Sequence, residues 1–270
     1  MYSFLHGDDT YGDPGAIATV WGAFDPLLRA LAMMSRTLSL RYRLLSTHDY
    51  LDPEEQTYTV QRCFDTLDDF HLWDVEAASY WPSMFKDRGM PTALGQVAFG
   101  TTHYDVETAC TIILIRSARL ILLMSMIAYH YEQEQHGDLS ATLAEYVPLL
   151  QMDVSMAIDD ILASVPYALG DVGPGGLPGS VAHDGASAIV TVHSIRLVAS
   201  CAYLTPDQRQ KATDVLARFN TGIGIRAAVG MREEDTSRTR WAHEQDFLRS
   251  RMAPTLDLSL NLATDDFFPW

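Results

Sequence analysis

Thr108-Ala-Cys-Thr-Ile-Ile-Leu-Ile-Arg116-Ser-Ala-Arg119-Leu-Ile-Leu-Leu-Met-Ser-Met-Ile-Ala-Tyr-His-Tyr131 is the most apolar stretch of the chain and contains no Gly or Pro. Ile112 to Ile115 precede Arg116, and Leu120 to Met124 follow Arg119. On a helix of 3.6 residues per turn these side chains fall all round the axis, which predicts a helix buried on most sides. The length would also suit a membrane span. Two arginines one turn apart at the centre argue against that, because each is costly in hydrocarbon. The stretch therefore predicts the central helix of an all-helical domain, with Arg116 and Arg119 facing polar partners or a cavity.

The surrounding chain carries the same period. Pro26 to Ser46 repeats it through Leu27, Leu28, Leu31, Met34, Leu38, Tyr42 and Leu45. Asp13-Pro14 and Asp25-Pro26 read as N-caps followed by Pro at the first helical position. Asp52-Pro53-Glu54-Glu55 starts another helix, with carboxylates where the dipole favours them, and this helix runs to Tyr80. Trp81 to Gly100, with two prolines and three glycines, reads as a loop. Leu143 to Ala163 is helical and closes at Val165-Pro166. Residues 170–185 are a Gly/Pro-rich connector, and Ala186 to Tyr203 is a second apolar helix. Thr205-Pro206-Asp207-Gln208 is a capping box, and its helix stops near Gly222. Ile225 to Met231 begins a further helix. Residues 1–13 read as an irregular arm, and no stretch gives a credible strand pattern. The expected architecture is all-α: one domain over 1–270, with seven or more helices around a long central apolar one.

Bulk composition narrows the partners. Nineteen Lys and Arg stand against 35 Asp and Glu, a net charge of −16, with no basic run to offset it. Direct nucleic-acid binding needs the opposite surface, and anionic membranes are disfavoured too. Cys63, Cys110 and Cys201 are far apart and unpatterned, which argues against disulfides and a zinc site. The first residues carry no signal-peptide pattern, so a cytoplasmic or nuclear setting is expected. Exposed apolar helix surface leaves room for a homodimer.

Three stretches resemble one family. Ile158-Asp159-Asp160-Ile161-Leu162-Ala163-Ser164-Val165-Pro166-Tyr167-Ala168-Leu169-Gly170 is similar to the "dIcaSvPyhlG" signature of the fungal-specific transcription factor domain. That domain is the helical regulatory region usually found after a zinc binuclear cluster. Gln208 through Ala228, ending Gly224-Ile225-Arg226-Ala227-Ala228, resembles the family's "qr.w....L..ig..mGirqA" segment. The helix bearing Arg116 and Arg119 is similar to its "w...R..Ri.l...i" helix. Order and spacing agree over roughly residues 55–232. The six-cysteine cluster has no counterpart here, and the chain opens on Met1 without a basic linker, so the expectation is a relative that has lost DNA binding. The helix before the capping box also departs from the family, with Thr191, His193, Ser194 and Arg196 entering an apolar context. Lining a small-molecule cavity is one reason for that.

Candidate site residues follow. His193 and Arg196, three apart, share a helical face. A histidine can serve as general acid or base, and an arginine beside it can hold an oxyanion. The alternative is a hydrogen-bonded core histidine with a snorkelling arginine. Arg116 and Arg119 are candidates for an anionic or carbonyl group, or else a structural pair tied to carboxylates of neighbouring helices. Asp65, Asp68 and Asp69 share a face and invite a magnesium–diphosphate reading. A hard-cation site needs a second ligand set, which the chain lacks, so no metal is expected. Asp68 stays a candidate carboxylate for catalysis. His71, Trp73, Trp81 and Tyr167 are candidates for a pocket wall. There is no nucleophile elbow, dinucleotide fingerprint or phosphate loop, and no cofactor is expected. Two functions compete: a pocket protein for an apolar fungal metabolite, acting as a cofactor-free cyclase or isomerase, and an effector-sensing or protein-interaction regulatory module.

Overall fold

A computed structural model describes residues 25–46, 52–81, 85–101, 105–136, 141–173 and 185–221. Within them the chain is mostly helical: α1 (Pro26–Ser46), α2 (Pro53–Tyr80), α3 (Val106–His136), the one-turn α4 (Ala141–Ala144), α5 (Val147–Ala168), α6 (Gly185–Ala199) and α7 (Pro206–Thr221). One antiparallel hairpin, β1 (Phe85–Pro91) and β2 (Val97–Thr101), lies between α2 and α3.

The helix starts follow local chemistry. The carboxylates of Asp25, Asp52 and Asp105 accept from the backbone N–H of Leu28, Glu55 and Thr108 at 2.9, 2.8 and 2.7 Å, capping α1, α2 and α3. At α7 the box is reciprocal: Gln208 N donates to Thr205 Oγ1 at 3.2 Å, and Thr205 N donates to Gln208 Oε1 at 3.0 Å. The Asp13-Pro14 start, the 1–13 arm, the stop near Gly222 and the helix from Ile225 lie outside the described residues, as do most of 170–185.

The core is apolar surface from every long helix. The window Val106–Glu134 is long and apolar enough to cross a bilayer, but 83% of its most apolar part is buried inside the fold. Ile112, Ile113, Ile115, Leu120, Leu122 and Leu123 have no exposed surface. α3 makes its most extensive contacts with α5 and α1, and it also touches α2 and α6. Hydroxyls inside this core are satisfied within their own helices. Ser117, Ser125 and Ser164 each donate to the carbonyl four residues back at 2.6 to 2.7 Å.

Two sequence expectations need correction. Trp81 to Gly100 is not simply a loop, because most of it forms the hairpin. Its Gly and Pro residues fit that structure rather than oppose it. Pro91 ends β1, Gly89 lies with φ 69° in an irregular register between Asp87 and Pro91, and Gly95 lies with φ 74° in the turn. Val165-Pro166 does not close α5, which continues to Ala168. A proline in the last turn forfeits one hydrogen bond. The helix ends where Gly170 turns left-handed, φ 72°, and its N–H bonds Tyr167 O at 3.0 Å.

Candidate functional site

The densest chemistry is a buried ionic cluster where α2, α3, α5 and the hairpin tip meet. Asp74 comes from α2, Arg116 and Arg119 from α3, and Asp153 and Asp160 from α5. Each falls on its helix's inward stripe: Asp74 continues Cys63, Leu67 and Phe70, while Asp153 and Asp160 alternate with Leu150, Ala157 and Ser164. Arg116 Nε donates to Asp160 Oδ2 at 2.8 Å, and its Nη1 lies 2.7 Å from Asp74 Oδ1. The second contact is an ion pair without in-line N–H geometry. Arg119 Nη2 donates to Asp153 Oδ2 at 2.9 Å, and its Nη1 stands 3.8 Å from Asp74 Oδ2.

Two guanidinium groups thus face three carboxylates. The extra negative charge meets a backbone donor, because Ala93 N–H at the hairpin tip bonds Asp153 Oδ1 at 3.1 Å. Burial alone would lower the pKa of Arg116; Asp74 and Asp160 outweigh it and hold the group above its ordinary value. Arg116, Arg119, Asp153 and Asp160, with Ala98 and Phe99 of β2, line a cavity of about 20 Å³. That is room for one water molecule and far too small for a metabolite. The arrangement suits charge neutralisation inside a fold.

The second feature is a cleft of about 490 Å³ at one end of the bundle. The start of α1, the end of α2 and the start of α3 form it, with Leu27, Tyr80, Trp81, Asp105, Glu107 and Thr111 on its walls. Trp81 meets Tyr80 edge-on at 5.4 Å between ring centroids, and meets Trp73 edge-on at 6.4 Å. Among the described residues the lining contains no basic side chain.

The candidate residues distribute as follows. Arg116 and Arg119 sit in the ionic cluster. Trp81 lines the cleft, whereas Trp73 is buried behind it, its Nε1 donating to Pro26 O at 3.1 Å. His71 packs its ring 6.1 Å from Phe99, beside the hairpin. Asp68 is exposed and accepts from Gln96 Nε2 at 2.5 Å. Tyr167 is half-buried against the core. His193 is exposed on α6, while Arg196 is half-buried with Nη1 shielded and without a hydrogen-bond partner among the described residues. Neither residue lines the cleft or the small cavity, and among the described residues nothing joins Asp68 to either. Thr191 donates to Ser187 O at 2.7 Å, so that polar group in α6 is satisfied without a ligand.

Sequence reasoning missed Asp74, Asp153 and Asp160 as the partners of the arginines. It also missed the cleft, whose polar walls include two helix caps. Burial pushes the Cys63 thiol well above its ordinary pKa, as a thiol enclosed in core requires. Among the described residues no group of His, Cys, Asp and Glu could hold a metal ion. No protein-family model, curated protein or solved structure matches this chain.

Proposed function

We propose that this chain is a transcription-factor-like helical domain that binds a small organic molecule in the cleft at the ends of α1 and α2. In this reading residues 1–270 form one domain organised around α3, and the likeness to the fungal regulatory domain rests on the three motifs alone. The observation that carries the proposal is the cleft itself. Its volume of about 490 Å³ falls inside the range of roughly 300–1,000 Å³ usual for ligand pockets, and it sets Tyr80 and Trp81 beside the carboxylates of Asp25, Asp105 and Glu107. With Asp105 and Glu107 on the wall and no basic side chain among the described lining residues, it favours an organic molecule bearing a cationic or hydrogen-bond-donating head. Aromatic rings such as those of Trp81 and Tyr80 attract a cation placed over their faces.

The cyclase or isomerase reading needs a cavity at His193 and Arg196. Only the Nη1 of Arg196, shielded and without a hydrogen-bond partner among the described residues, speaks for it. The two readings separate in one experiment: thermal-shift screening of organic molecules graded by charge, then calorimetric titration of the hits. Binding should weaken at least tenfold in Trp81→Ala and Glu107→Gln and stay unchanged in His193→Ala and Arg196→Ala. The opposite pattern, with turnover lost in His193→Ala, would transfer the site to α6. A panel without a single binder would defeat the ligand-binding reading.

A further inference from the structure

α1 has two apolar faces. Ala30, Met33, Leu40 and Leu44 are buried, with α3 as the main partner. On the opposite side Leu27, Leu31, Leu38 and Tyr42 are 42–62% exposed. A turn of 3.6 residues aligns these four in one stripe roughly 22 Å long. Of the four, only Leu27 lines the cleft, so a ligand there does not account for the stripe. A contiguous exposed apolar patch of this kind marks a contact surface.

The order of the stripe points to what covers it. Its residues follow one another at spacings of four, seven and four, and the series is the same read from either end. A contact across a two-fold axis requires a surface that complements itself. Two antiparallel copies of α1, related by an axis level with Met34 and Ser35, set Leu27 beside the other copy's Tyr42 and Leu31 beside its Leu38. Every member of the stripe then meets an apolar side chain in its own layer. Charge agrees with this arrangement. Arg29, Arg36 and Arg43 recur every seven residues and form one row on another side of the helix. Arg29 and Arg36 are held there by Glu76 and Asp69 of α2. Arg41 borders the stripe and reaches Ser125 Oγ of α3 at 3.5 Å. Antiparallel copies keep the two Arg41 residues roughly 20 Å apart along the helix axis. Parallel copies would set them side by side, where like charges repel.

We propose that α1 packs antiparallel against α1 of a second copy of this chain, through Leu27, Leu31, Leu38 and Tyr42. A strip roughly 22 Å by 10 Å on each copy lies at the small end of specific interfaces, so a dissociation constant on the order of 10 µM is expected. Sedimentation equilibrium of the full chain from ~1 to ~300 µM, a range that brackets this constant, should show the mass rise from one copy to two. Leu31→Glu/Leu38→Glu would bury unpaired charge in the contact and should raise the constant at least about tenfold, with an unchanged thermal midpoint at the dilute end. Leu72→Glu, at a similarly exposed leucine of α2, should leave it unchanged. The pairing direction is read by mixing isotope-labelled and unlabelled chains that carry the photo-cross-linker benzoylphenylalanine in place of Tyr42. Irradiation should join position 42 to the Leu27 end of α1 in the other molecule. A monomer throughout, an unchanged constant in the double variant, an equal loss in Leu72→Glu, or a cross-link from 42 to 42 or to another element would each overturn the proposal.

Discussion

Arg116 and Arg119 sit one turn apart, yet they should differ in the cost of their removal. Arg116 bridges Asp74 and Asp160 at 2.7 and 2.8 Å, and its side chain is 2% exposed. Arg119 holds Asp153 closely but stands 3.8 Å from Asp74 and is more exposed. Breaking a buried ion pair from one side strands the remaining charge, a penalty of about 3–5 kcal/mol. Arg116→Met removes the close partner of both Asp74 and Asp160, leaving Asp74 only the longer contact to Arg119, and is expected within that range in urea unfolding. Arg119→Met should cost less, because Asp153 keeps the Ala93 N–H. Equal midpoints for the wild type and Arg116→Met would refute the cluster's structural role. Neither substitution should alter binding in the cleft, which neither arginine lines.

At the level of elements, the capping box of α7 is also a tertiary clasp. Gln208 is 3% exposed, and its Nε2 donates to Asp159 Oδ1 at 2.8 Å and to Ser155 Oγ at 3.2 Å on α5. Thr205→Ala is therefore expected to cost about 1 kcal/mol, the worth of a cap. Gln208→Ala should cost about 0.5–1.5 kcal/mol more, since it also removes the hydrogen bonds to the half-buried Ser155 and the exposed Asp159 on α5. Chemical denaturation followed by helical circular dichroism checks the order, and a larger loss in Thr205→Ala would contradict it. Helix starts such as these were legible in the sequence because Asp-Pro and Thr-Pro-Asp-Gln act within one turn. The hairpin was not, because its glycines and prolines signal breaks in periodicity, while its placement depends on Asp153, some sixty residues away. The ionic partners were half legible. Asp74, Asp153 and Asp160 interrupt apolar stripes, a visible anomaly, but sequence alone does not say which carboxylate meets which arginine. His193 failed to join a cavity for a related reason: three-residue spacing sets a shared face and leaves its exposure open.

Over the whole molecule the net charge of −16 opposes compaction, because surface carboxylates repel one another. The cluster's charges are buried, so added salt screens the repulsion far more than the internal attraction. Raising sodium chloride from ~0.05 to ~0.5 M, which shortens the screening length to a few ångströms, is expected to raise the thermal midpoint by a few degrees in scanning calorimetry. A falling midpoint would mean that exposed pairs such as Lys211–Asp207 govern stability instead. The ionic cluster also sets an order on the making of the protein. Asp74, Arg116 and Arg119 leave the ribosome before Asp153 and Asp160, so the two arginines of a nascent α3 first have one of their three carboxylate partners, and the apolar face that later meets α5 is uncovered. At synthesis rates of about 5–20 residues per second this lasts seconds. During that interval the helix resembles a membrane insert awaiting a bilayer, and α5 is what ends the exposure. The growing chain is most vulnerable to misrouting and aggregation between the synthesis of His136 and that of Asp160.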